Sequence, residues 1–115
     1  MRHYTPEKIA AMIDYNENFV GHTADLSKIQ LYQQIKARLT ELMEQCPDVC
    51  KVEGYSPNIR EQCAIIWVDL KALSALNDKA SILLSEAMRI ADNVFIAGGK
   101  SGVRITFGVS KVWRD

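Results

Sequence analysis

Gly98-Gly99-Lys100-Ser101-Gly102 is the stretch whose residue types come nearest to a recognisable chemistry. In a phosphate-binding loop, backbone amides cradle the phosphates, a lysine reaches the outer oxygens and a hydroxyl sits beside it. Lys100 and Ser101 would supply those two side chains. Two features count against it: Val94 stands where the leading glycine belongs, and the following residues alternate as a strand does. Without a helix amino terminus, the dipole and open amides that attract phosphate are missing. A glycine-rich hairpin turn is the first reading, and a small-ligand or phosphate site at Gly98–Gly102 is retained as an alternative.

Cys46, Cys50 and Cys63 raise the question of a metal. A closed zinc site needs a fourth ligand, and only His3 and His22, both distant in sequence, are left to give it. Cys46 falls on the apolar stripe of a helix and Cys50 on one side of a strand, so structural thiols are expected and no metal is assigned. His22 lies in a polar turn with Thr23 and Asp25, without a recognisable nucleophile partner. Asp69 and Glu86 could meet across a sheet and a helix, but a carboxylate pair of this kind arises by chance in most domains. No catalytic residue is assigned, no enzyme activity is expected, and no cofactor is implied.

A nucleic-acid reading draws on a sheet face. Arg104, Thr106, Ser110 and Lys51 could meet phosphates, with Tyr55 as a stacking ring. The competing reading is an ordinary solvated face, and it is preferred. A helix-turn-helix is disfavoured, because the second helix mixes Lys28, Lys36 and Arg38 with Glu41 and Glu44.

The elements that would carry these residues follow from periodicity and punctuation. Thr5-Pro6-Glu7 is a helix start, and Ile9, Met12, Ile13, Asn16 and Val20 share a face, predicting a helix from Pro6 to about Phe19 with Gly21 as its stop. Ser27-Lys28-Ile29-Gln30 matches a capping box, and apolar residues from Ile29 to Cys46 recur at helical spacing until Pro47. A short connection makes these two helices an antiparallel hairpin. Val49 to Tyr55 reads as a strand, Ser56-Pro57-Asn58 as a turn, and Cys63 to Leu70 as a second strand. A third helix begins between Ser74 and Asp78, with Leu76, Ala80, Leu83, Leu84, Ala87, Ile90 and Ala91 as its stripe and Asn93 as a candidate stop. Val94–Ala97 is read as a short strand, and Val103, Ile105, Phe107 and Val109 alternate with smaller or polar residues as a half-buried one. The expected fold is α+β in a single domain over residues 1–115. It comprises an N-terminal helical hairpin followed by β-β-α-β-β, with an antiparallel sheet of about four strands packed with helices.

Length and composition narrow the function class. A chain of 115 residues suits one domain and buries roughly 65% of its unfolded surface, enough for a core without staples. The 14 basic residues balance the 14 acidic ones, which removes the strong positive field of a general nucleic-acid binder. It also leaves no global charge barrier to self-association. The amino-terminal residues lack the apolar core of a signal peptide, and no apolar run approaches the about 20 residues of a membrane span. With an odd number of cysteines, a cytoplasmic location without a membrane partner is expected.

The strand from Cys63 to Leu70 is apolar on both alternating faces, so both require cover. If helices cover one face, a second protein chain is the natural cover for the other, with Trp67 at its centre. The expected role is therefore a small interaction or assembly module that binds protein and self-associates. Trp67, Arg104, Lys100 and Ser101 are the candidate binding residues, and a nucleic-acid module is the second class in contention.

Overall fold

The structure, a computed structural model, describes residues 6–18, 21–47, 50–55, 63–71, 76–100 and 102–114. Side chains of residues 6, 7, 9, 10 and 50–55 lie outside that description. So do Thr5, Phe19, the expected Ser56-Pro57-Asn58 turn, Ser74 and Ser101. The element order is α1 (Pro6–Asp14), β1 (Thr23–Ala24), α2 (Leu26–Gln45), β2 (Cys50–Tyr55), β3 (Ala64–Leu70), α3 (Asp78–Ile90), β4 (Asn93–Gly99), β5 (Gly102–Val109) and β6 (Trp113–Arg114). The expected α+β architecture with its antiparallel four-stranded sheet is what the chain adopts, in the order β2-β3-β5-β4.

The end of α1 and the start of α2 depart from expectation for local reasons, and the connection between them is not short but contains β1. α1 stops at Asp14 rather than near Phe19. Asn16 takes a left-handed φ of 56°, the Asn16 N–H donates to the Ile13 carbonyl and the Glu17 N–H to that of Met12. This is a Schellman closure with asparagine in the position that glycine usually fills. α2 starts earlier than the Ser27 box implies: Asp25 is the N-cap, its Oδ1 accepting from the N–H groups of Ser27 and Lys28 at 3.2 and 3.4 Å. A carboxylate at this point also meets the positive end of the helix dipole. Hydrogen bonding from the Ser27 hydroxyl, with help from backbone amides and Arg114, holds the Asp25 carboxyl below its ordinary range against partial desolvation.

One apolar layer joins helices to sheet. Ile29, Tyr32, Ile35, Leu39 and Leu42 form the buried stripe of α2. They share a core with Ala64, Ile66, Val68 and Leu70 of β3, Ile105, Phe107 and Val109 of β5, and Ala80, Leu83, Leu84 and Ala87 of α3. α2 and α3 run antiparallel, with ion pairs Lys79–Glu41, Arg38–Glu86 and Lys28–Asp92 along their length. All three are part-exposed, so they set alignment more than stability.

A small second sheet was not foreseen. β1 pairs antiparallel with β6, Thr23 opposite Arg114 and Ala24 opposite Trp113. Trp113 is 1% exposed, and its Nε1–H donates to the Glu17 carbonyl at 2.9 Å. Two-residue strands carry no readable alternation, which is why periodicity missed them.

Candidate functional site

Directly opposed residues of an antiparallel sheet share a face, so the register assigns every position of β3, β5 and β4. Three rows that cross all three strands lie on the helix-covered side, Ile66–Phe107–Val94, Val68–Ile105–Ile96 and Leu70–Val103–Gly98, with the pair Ala64–Val109 beside them. The opposite side carries Ile65–Gly108–Asn93, Trp67–Thr106–Phe95 and Asp69–Arg104–Ala97. In the helix-side rows the β3 members are buried, as are Phe107 and Ile105 of β5. Their β4 neighbours are not: Ile96 is 61% exposed. The helical layer therefore ends before it reaches β4.

β4 is consequently an edge strand exposed along its whole length, including on the helix side. Phe95, on the open side, is 74% exposed, and Val94 is also at the surface. From Asn93 to Gly99 the strand contains no charged residue and no proline, the usual devices by which an edge is protected from pairing.

Trp67 does lie on the open side, but it is half-buried rather than bare. The Arg104 guanidinium sits over its ring at 5.1 Å from the centroid, a cation–π arrangement. Arg104 also grips Asp69 side-on, Nε to Oδ1 at 2.6 Å and Nη2 to Oδ2 at 3.0 Å. Its fork geometry fits a carboxylate better than a point charge would. Two of the candidate binding residues thus meet, and the Arg104 charge is paired with that of Asp69 beside the Trp67 ring.

The other candidates separate from this cluster. Lys100 is exposed in the turn between β4 and β5. Gly99 and Gly102 face each other across that turn, so the stretch is a hairpin tip and no helix amino terminus follows it. Gly102 has a φ of 134°, and a Cβ there would collide with the Leu70 carbonyl oxygen. The glycine is needed for close backbone approach rather than for a phosphate. Asp69 and Glu86 do not form a pair, since Glu86 on α3 is engaged by Arg38. Thr106 is half-buried on the open face; Ser110 donates from its N–H and its hydroxyl to Asp92. Lys51 stands opposite Asp69 and Tyr55 opposite Ile65 in the register.

Cys46 is buried at the end of α2, Cys63 is half-buried just before β3, and His22 is half-buried just before β1. Among the described residues no three His, Cys, Asp or Glu side chains converge as metal ligands, and no helix is long and apolar enough to cross a membrane. Tyr32 is fully buried in α2, and among the described residues its hydroxyl has no hydrogen-bond partner. Burial, reinforced by the negative charge of Asp14, pushes its pKa far up. The phenol belongs to the core. The cleft among Asp14, Gln33, Lys36, Thr40, Glu41 and Lys79 is open and mixed in sign, with Lys36 paired to Asp14 at 2.8 Å.

Sequence reasoning missed Phe95 and Ile96. The signal was available, because Val94 to Ala97 is apolar at consecutive positions, the same double-faced pattern that singled out β3. No protein-family model, curated protein or solved structure matches the chain. The site therefore rests on its own chemistry: an uncharged, apolar sheet edge beside a neutralised aromatic–guanidinium cluster.

Proposed function

We propose that this protein is a small interaction module that acts by binding protein and self-associates, with β4 as its contact surface. The observation that carries the reading is the exposure of Phe95 and Ile96, at 74% and 61%, on a strand without a charge to solvate it. A bare sheet edge offers unpaired backbone donors and acceptors to another strand, and neighbouring apolar side chains add the burial that makes pairing stable. The balanced net charge of the chain adds no repulsion. Relative to the sequence reading, the contact surface moves from Trp67 to β4, because Arg104 already covers the Trp67 ring.

The nucleic-acid alternative has less support. Arg104, the central cation of that reading, is spent on Asp69, so the face presents little net positive charge for phosphates to displace counterions from. Lys100 at the hairpin tip is exposed without the amide cradle that a phosphate site requires.

Light scattering across concentrations up to tens of micromolar, roughly the range where a contact of modest affinity is populated, tests self-association. A dimer or larger species that dissociates on dilution is the expected result. A monomer throughout overturns the reading.

A further inference from the structure

Resting on that reading, we infer that the occupant of the β4 edge is β4 of a second copy, paired antiparallel about a two-fold axis at Ile96. The residues of the strand run Asn93, Val94, Phe95, Ile96, Ala97, Gly98, Gly99. Bulk is gathered in the first half and space in the second. Antiparallel pairing centred on Ile96 sets Asn93 against Gly99, Val94 against Gly98, and Phe95 against Ala97 of the other copy, each contact occurring twice. Every large residue meets a small one, and Ile96 meets its own counterpart.

Faces agree as well as sizes. Phe95 and Ala97 are both on the open side of the sheet, while Val94, Ile96 and Gly98 are all on the helix side. Pairing at this register places like faces together, so the helical layers of the two copies lie on one side. Two four-stranded sheets become one of eight strands, in the order β2-β3-β5-β4-β4-β5-β3-β2. On the open side the Phe95 ring of one copy reaches over Ala97 of the other, beside Arg104 and its Trp67 platform. A two-fold contact closes on itself, so it makes a discrete dimer and consumes the edge.

Charge also selects a like partner. With no ionic group from Asn93 to Gly99, β4 has nothing with which to choose an acidic or a basic strand. A foreign strand of uniformly large residues would gain little over the glycine half, whereas the chain's own sequence supplies the complement. The contact consists of one strand pair and two aromatic anchors. It sits at the low end of interface sizes, where about 1,200 Å² or less is buried, and micromolar affinity is the expectation.

The test is complementation between two variants. Phe95→Glu removes the anchor and Ala97→Lys places an ammonium where the ring should lie. Each alone is expected to weaken self-association by roughly tenfold or more, because a two-fold contact loses each anchor twice. Mixed in equal amounts they should form a heterodimer, since the introduced carboxylate at 95 then faces the introduced ammonium at 97 of the other copy. The remaining Phe95–Ala97 contact is native. Amide hydrogen exchange on the native protein gives a second readout: protection across residues 93–99 should rise with protein concentration. A native dimer whose β4 amides gain no protection, or whose variants fail to complement despite native circular dichroism, overturns this register while leaving self-association standing. A native monomer removes both.

Discussion

β3 and β4 share a composition and differ in fate. Each is apolar at consecutive positions, Ala64-Ile65-Ile66-Trp67-Val68 in one and Val94-Phe95-Ile96-Ala97 in the other. β3 sits between β2 and β5 under the helices, with Ala64, Ile66, Val68 and Leu70 all buried. β4 sits at the end of the same sheet, beyond the reach of the helical layer, and remains exposed. A double-faced apolar strand demands cover, and its own residues do not say whether the cover comes from the same chain. Position in the sheet decides that, and position depends on every other element.

The largest expected effect separates the two strands by stability. Phe107→Ala, beneath the helices and beside β3, should cost about 3–5 kcal/mol in urea unfolding, from lost transfer energy and the cavity left behind. Phe95→Ala, at a concentration where the protein is monomeric, should change stability by no more than about 0.5 kcal/mol. Equal losses at the two phenylalanines would mean that β4 is covered internally and would break the contrast.

A smaller effect probes the turn that joins β4 to β5. Gly102→Ala must hold a left-handed φ and press its methyl group on the Leu70 backbone, which should cost about 1–3 kcal/mol. The loss should appear as a lower thermal midpoint, together with faster amide exchange in β4 and β5. An unchanged midpoint would show that the hairpin relaxes freely and that the β4 register is not held by its turn.

The smallest effect lies at the foot of β4. Partial burial works against ionising Asp92, but hydrogen bonds from the Ser110 amide and from Lys28, with the charge of Lys28, hold its carboxyl below the ordinary 3.8. A depressed value means that the stabilisation is complete above 3.8 and drains away as pH falls through the lower, folded-state value. The side chain is 32% exposed, so the loss should be under about 1 kcal/mol. Comparing Asp92→Asn with the native protein in urea titrations at neutral and acid pH checks this. A difference that persists unchanged in acid would locate the effect elsewhere.

Much of the architecture was legible because it rests on repeated signals. The stripe of α2, the alternation in β5 and the stripe of α3 each use many residues, so single ambiguities average out. Boundaries rest on one or two residues and went astray there. Asn16 ends α1 because asparagine tolerates the left-handed region expected at Gly21, and Asp25 is the cap in place of Ser27 because the helix begins at Leu26, so that the amides to be capped are those of Ser27 and Lys28. The site was half legible. Pattern placed Trp67 on the face of β3 opposite Ile66 and Val68, and the register puts that face on the open side. Pattern could not show Arg104 folded over the ring, nor that β4 would end the sheet, because both follow from contacts distant in sequence.

The pairing of β1 with β6 bears on how the molecule comes into being on the ribosome. The Asp25 N–H that opens the way into α2 donates to the carbonyl of Val112, and Trp113 seals against Glu17. These contacts span nearly the whole chain, and such closures are slow because their entropy must be lost before they reward it. α1, α2 and the β2–β3 pair emerge early and must wait, with the near end of α2 untied, until residues 112 and 113 have been synthesised. During that interval the β3 edge awaiting β5 is as bare as β4 is in the finished fold, an open edge on which nascent chains crowded on one message can pair.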